Sequence, residues 1–160
     1  MTIEPVIQRM KQLQHLHESL LFLSKKKTET LKTNDLSEIQ QLLTQERKHV
    51  QAIEKIEKQR VQSVTQWAQE RDLKAREWTV SEMIDRLEGK EKENLMNIYE
   101  KLILVLSDLK QQEKLNTELT QHSLKFINMS LDLFQPSIQS VNYGRKQGYS
   151  NKRSVFDSKA

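Results

Sequence analysis

Apolar residues recur every three or four positions along most of this chain, and the longest such run covers 91–135. Its seam reads Leu95, Ile98, Leu102, Val105, Leu109, Gln112, Asn116, Leu119, Ser123, Phe126, Ser130 and Leu133, with no glycine or proline in between. A heptad-like spacing held this long predicts one amphipathic helix of roughly 65 Å. Such a helix is not stable alone in water, because its apolar stripe needs a partner face.

Two further runs supply that face. Over 3–31 the stripe is Ile3, Val6, Met10, Leu13, His17 and Leu20, widened by Ile7, Leu16, Leu21 and Leu23. Thr2 is placed to cap this helix, and Pro5 falls in its first turn, where a missing N–H does no harm. Thr33-Asn34 breaks the pattern. Asp35, with Glu38 three residues on, then has the form of a capping box for a second helix over 36–70. Its seam is Leu36, Ile39, Leu43, Glu46, Val50, Ile53, Glu57, Arg60, Val64 and Trp67. The short connection predicts that these two helices are antiparallel neighbours. Thr79 and Glu82 form another capping box, flanked by Trp78 and Met83 as a hydrophobic staple. They open a short helix, 80–88, with Met83, Ile84 and Leu87 inward and Gly89 as its stop.

The pattern therefore predicts an all-α chain. Three long helices, at about 3–31, 36–70 and 91–135, form an elongated antiparallel coiled-coil-like bundle over 1–135. The short helix folds over one end. Leu102-Ile103-Leu104-Val105-Leu106 is apolar all round, so the last helix is expected to be flanked on both sides. That helix outlasts the second one by roughly 15 Å. Its apolar end, Phe126, Ile127, Met129, Leu131, Leu133 and Phe134, is thus expected to overhang and mark a binding surface. Pro136 is expected to end the helix. The tail, 136–160, is rich in Ser, Asn, Lys, Arg and Gly and is expected to be disordered alone. Its spaced anchors Ile138, Val141, Tyr143, Tyr149, Val155 and Phe156 suit binding coupled to ordering.

Composition sharpens this picture. Three Gly and 2 Pro in 160 residues are too few for a loop-rich or all-β fold. With 0 Cys, disulfides and thiolate metal sites are excluded, which fits a reducing, cytoplasmic setting. The start, M-T-I-E-P-V-I-Q-R-M, lacks a basic segment followed by an apolar core, so no signal peptide is expected. The longest apolar run, Leu102 to Leu106, is far short of a membrane span. The net charge of +4 lies in the tail, where Arg145, Lys146, Lys152, Arg153 and Lys159 stand against Asp157. The helical body is then balanced, and its charge points to no particular partner.

The chemistry-bearing residues point away from catalysis. There is no glycine-rich phosphate loop, H-E-x-x-H or G-x-S-x-G. Glu46, Glu57 and Arg60 sit on a seam, where thinning or snorkelling toward water accounts for them, and Glu57 and Arg60 are spaced to pair. Lys25, Lys26 and Lys27 read as a solvated helix end. His15 and His17 face different ways, so they form no ready metal pair, and His17 reads as a core-edge residue. Gln112, Asn116 and Ser123 have two readings: a register-setting polar layer, or an open stretch of seam that receives a partner. No enzyme activity, cofactor, metal or small-molecule substrate is expected.

Three stretches carry a resemblance: N-D-L-S-E-I-Q-Q-L-L-T-Q-E-R from Asn34, W-T-V-S-E-M-I-D-R-L from Trp78, and L-N-T-E-L-T-Q-H-S-L-K-F-I-N-M-S-L-D-L-F from Leu115, followed by N-Y-G-R-K-Q-G from Asn142. In order and spacing they resemble the FlgN family of flagellar type III export chaperones, in a Bacillus-type form, over roughly 3–148. Gly89 stands where relatives often have proline. The resemblance implies a cytoplasmic chaperone for the hook-associated junction proteins FlgK and FlgL. It would bind their C-terminal segments, prevent premature assembly and deliver them to the export gate protein FlhA, at its cytosolic domain. It places partner binding on Leu119, Ser123, Phe126, Ile127, Leu131, Phe134, Ile138, Val141 and Tyr143, with Tyr143 serving either client or gate. Two other readings compete with it. One is a self-associating coiled-coil protein without a secretion client. The other is a nucleic-acid binder using the basic tail, which the neutral body does not support.

Overall fold

The computed structural model describes residues 3–143, with side chains described as far as Leu133. Among the described residues the chain is wholly helical, with four helices and no strand: α1 (Glu4–Thr33), α2 (Leu36–Gln69), α3 (Val80–Arg86) and α4 (Gly89–Tyr143).

The ends of these helices show which local signals were decisive. The N-cap of α1 is Ile3, not Thr2, and it provides no side-chain cap. Pro5 supplies the preset first turn, and the Ile3 carbonyl accepts from the N–H groups of Val6 and Ile7. Asn34 ends α1 in the left-handed region, at φ 56°. Asp35 then caps α2 by accepting from the Glu38 N–H at 3.0 Å. Only that half of the expected box forms, because the Glu38 carboxylate turns to Lys26 of α1, 3.5 Å away.

The box at α3 is complete. The Glu82 N–H donates to Thr79 Oγ1, and the Thr79 N–H donates to the Glu82 carboxylate at 2.9 Å. Those bonds, with the Arg76 guanidinium beside it, hold the Glu82 carboxyl below its usual range. Thr79→Ala is expected to cost about 1 kcal/mol of stability, read as a lower denaturation midpoint. Glu82→Gln, which keeps the acceptor, is expected to cost less.

Two expected boundaries are corrected. Gly89 does not cap the short helix. Leu87 ends α3 in extended backbone, and Gly89, at φ +60°, opens α4. Glycine takes that conformation without strain, and Leu87 and Glu88 alone join the two helices. Pro136 does not end the last helix, which continues to Tyr143. A proline forfeits one backbone bond and crowds the preceding turn, but the flanking turns keep their own bonds. Of the proposed tail, 144–160 lies outside the described residues.

The chain divides into two compact units, Met1–Thr120 and Gln121–Ala160. In the first, α1 and α2 run antiparallel. Lys26 meets Glu38, Lys27 meets Glu46 and Ser19 meets His49, so positions rise on one helix as they fall on the other. By contrast, α4 runs in the same direction as α1: Ile3 to Met10 cluster with Leu95 and Ile98, while Ser24 and Thr28 bond to Gln112 and Asn116.

The apolar core lies at one end of this unit. Met10, Val64, Trp67, Trp78, Met83 and Leu95 are at its centre, so all four helices contribute. Trp67 and Trp78 meet edge-to-face at 6.4 Å. Arg71 stacks 4.7 Å from the Trp67 ring centre, and Arg76 and Arg86 lie over Trp78 at 4.0 and 4.9 Å. Trp78 and Met83 are both buried there, as a staple requires, and Ser81 bonds Tyr99 of α4 at 2.9 Å. The cluster closes the end where α2 stops and α4 begins.

The all-apolar turn of α4 is not covered on both sides as expected. Leu102 and Val105 are half-buried, whereas Ile103 and Leu106 are exposed and Leu104 is 66% exposed. A helix resting on its neighbours through one arc leaves the remainder of its circumference wet.

Candidate partner-binding site

The stretch of α4 with two readings is a closed polar layer as far as Asn116. The Asn116 amide donates to the backbone carbonyl of Ser24 at 2.9 Å and to its hydroxyl at 3.0 Å, and its oxygen accepts from Thr28 Oγ1. Gln112 donates to the same Thr28 hydroxyl. The spacing of four on both helices, 24/28 and 112/116, makes a crossed ladder, with Asn116 bonded to both Ser24 and Thr28 and Gln112 to Thr28, that fixes the register of α4 on α1. Every polar group of the Asn116 side chain has a partner, so this part of the seam is not an open partner site.

Beside the ladder lies an ion cluster that the sequence reading misplaced. Lys27 is buried rather than solvated. Its Nζ sits 2.8 Å from the Glu46 carboxylate of α2 and 3.1 Å from that of Glu113 on α4, and Ser24 Oγ also donates to Glu113. Glu46 therefore pairs across helices and does not snorkel. Burial works against the Lys27 charge, but the hydrogen bonds and fields of the two carboxylates together outweigh it and raise its pKa. Arg60 behaves as expected, bonded to Glu57 at 2.6 and 2.8 Å. His17 is half-buried, with Nδ1 2.7 Å from the Leu13 carbonyl.

The anticipated partner-binding residues fall in three places. Leu119 belongs to the first unit and is half-buried. Ser123, Phe126, Ile127 and Leu131 belong to the second. Phe134, Ile138, Val141 and Tyr143 lie outside the residues whose side chains are described. In the second unit Phe126 is 71%, Ile127 51% and Leu131 55% exposed, and Leu124, Met129 and Leu133 are exposed with them. At about 100° per residue, Leu124, Ile127 and Leu131 form one row and Phe126, Met129 and Leu133 another. Ser123 and Ser130 run between the rows, and Lys125, Asn128 and Asp132 lie opposite. The Ser130 hydroxyl is turned inward on the Phe126 carbonyl at 2.9 Å, so this line presents little polarity outward. Leu124 and Met129 were not among the anticipated contacts. The helical period that placed Ile127 and Leu131 places them too.

Six large apolar side chains exposed within ten residues exceed the isolated exposures normal on a soluble surface. The surface carries one cation and one anion, and among the described residues there is no cluster suited to a metal ion. An open groove of about 960 Å³ lies elsewhere, in the first unit, between the end of α2 and the segment leading into α3. Val61, Val64, Ala68, Trp78 and Tyr99 line it, and its Glu57 and Arg60 neutralise each other. Among the described residues no helix is long and apolar enough to cross a membrane.

Comparison with known proteins bears on the chain as a whole. A family model described as FlgN protein matches residues 1–151. The chain is 36% identical, over 164 residues covering all of both chains, to a Bacillus subtilis (strain 168) protein called uncharacterized protein YvyG. No solved structure matches.

Proposed function

Since the chain belongs to the FlgN family of flagellar export chaperones, we propose that it is the chaperone of the junction proteins FlgK and FlgL. It binds their C-terminal segments in the cytoplasm, keeps them from assembling and passes them to the cytosolic domain of the export gate protein FlhA. The observation that carries this reading is the run of exposed apolar side chains from Leu124 to Leu133. A segment destined to pack against copies of itself has an apolar face that must be shielded until export. Two apolar rows on a helix offer a matching face, and the uncharged line of Ser123 and Ser130 between them makes the contact mainly hydrophobic. Binding of this kind needs no catalytic group. Leu119 to Val141 would hold the client, and Tyr143, with the basic tail 136–160, would serve the client or the gate. The rest of the chain is a scaffold, which we read as a three-helix bundle of α1, α2 and α4; the bonds from α1 to both partners support it.

The test is titration of the full chain with the C-terminal segments of the two junction proteins, with flagellin as the negative control. Phe126→Asp and Leu131→Asp are each expected to weaken capture at least about tenfold, since each forfeits a large part of the 1.5–3 kcal/mol that burial of such a side chain contributes. Circular dichroism should show unchanged helicity, because both side chains are already in water. Undiminished capture by the double variant would overturn this assignment of the surface. Absence of capture by the parent chain, with concentration-dependent self-association in the ultracentrifuge, would favour the self-associating coiled coil.

A further inference from the structure

Beyond Ile98, the only fully buried side chain on α4, among those described, is Asn116. Leu102, Val105, Leu109 and Leu119 reach only half-burial there. On α1, the residues that bond to α4, Ser24, Lys27 and Thr28, are buried. The attachment is thus lopsided. The start of α4 is held by Leu95 and Ile98 in an apolar cluster shared with every other helix. Its middle is held by hydrogen bonds and by a lysine between two carboxylates.

These two kinds of contact differ in what separation costs. Opening the apolar end places large side chains in water, at about 25 cal/mol per Å². Opening the polar layer exchanges protein hydrogen bonds for water hydrogen bonds, which differ by only about 0.5–1.5 kcal/mol each, and rehydrates three charged groups. Directional bonds fix the register strongly but resist separation weakly. We infer that 102–119 of α4 is a strap: it opens from α1 and α2 as a local unit while the apolar end, from Ile3 to Ile98, stays closed. The lock of Asn116, Gln112 and Lys27 sets where it re-seats. This inference concerns the first unit and does not depend on the client proposed above.

The chain has no native cysteine, so a single introduced thiol reports opening without background. Ser24→Cys puts a near-isosteric thiol under the strap, where it weakens two of the bonds that hold it and so favours opening, and Ala68→Cys puts one in the apolar cluster, both at positions that are buried; equal rates in spite of that bias count the more heavily against a strap. With an aromatic disulfide reagent, the Ser24→Cys thiol is expected to react at least about tenfold faster than that of Ala68→Cys. Its rate should change little with low urea, whereas the Ala68→Cys rate should rise with the slope of global unfolding. Hydrogen exchange of the unsubstituted chain gives a second reading that no substitution disturbs. An undocked helical segment frays, so amides over 105–117 are expected to be at least about tenfold less protected than those over 64–68. Equal thiol rates with the same urea slope, or equal protection in the two segments, would overturn the strap.

Discussion

Trp67→Ala is expected to destabilise the first unit by about 3–5 kcal/mol, enough to leave a domain of ordinary stability close to unfolded at body temperature. Trp67 is buried at the closed end, edge-on to Trp78 and beneath Arg71. Its removal opens a cavity next to Met10, Met83 and Leu95, residues drawn from three different helices, and a cavity bounded by separate elements collapses poorly. The loss also uncouples the stack that runs through Trp78 to Arg76 and Arg86. Urea denaturation followed by circular dichroism measures the effect as a lower midpoint at similar slope. Phe22→Ala supplies the contrast. Phe22 is 68% exposed on α1, and its loss is expected to stay within about 0.5 kcal/mol. If the two substitutions cost the same, the apolar cluster is not what closes this end.

How much of this was legible follows from what each signal measures. Periodicity located all four helices because it records which side of a helix is dry, and Val6, Met10, Leu13, Val64, Trp67, Leu95 and Ile98 are buried as their spacing required. Capping at Thr79 was legible because all its partners lie within four residues. Lys27 was not. A lysine in a run at a helix end looks solvated until Glu46 and Glu113, 19 and 86 positions away, are brought to it. A signal was nevertheless present: Leu20, Leu23, Lys27 and Leu31 continue the three-four spacing, which puts Lys27 on the dry side. Leu104 failed the opposite way, since an apolar residue announces no partner by itself. Gly89 and Pro136 were over-read as stops, because a residue type sets what backbone is permitted and not what its neighbours do. The exposed rows from Leu124 to Leu133 could be placed on a helix from sequence, but the client proposed to cover them is a second molecule, and no periodicity encodes that.

Lys27→Met is the second large effect, expected to cost about 3 kcal/mol. The substitution nearly preserves volume, so the loss is electrostatic. It leaves the Glu46 and Glu113 carboxylates facing one another across the seam without a cation. Glu46 is nearly buried while Glu113 keeps access to water, which holds the cost to the lower end of the range for broken buried pairs. Lys27→Met/Glu46→Leu/Glu113→Gln should recover most of it, because no buried charge remains and the glutamine still accepts from Ser24. A triple variant as unstable as the single one would mean that Lys27 acts through its packed stem and not its charge. The same cluster sets an alkaline limit. The Lys27 pKa is raised above its ordinary 10.5, so the folded chain holds this proton more tightly than the unfolded chain does. Its stabilisation is therefore fully present below pH 10.5 and is lost as pH rises through the higher native value. The stability gap between the parent and Lys27→Met, measured by urea denaturation at stepped pH, should be constant through neutrality and narrow only above pH 10.5. A gap that stayed open past that point would show that charge on Lys27 is not what joins α1 to its two neighbours.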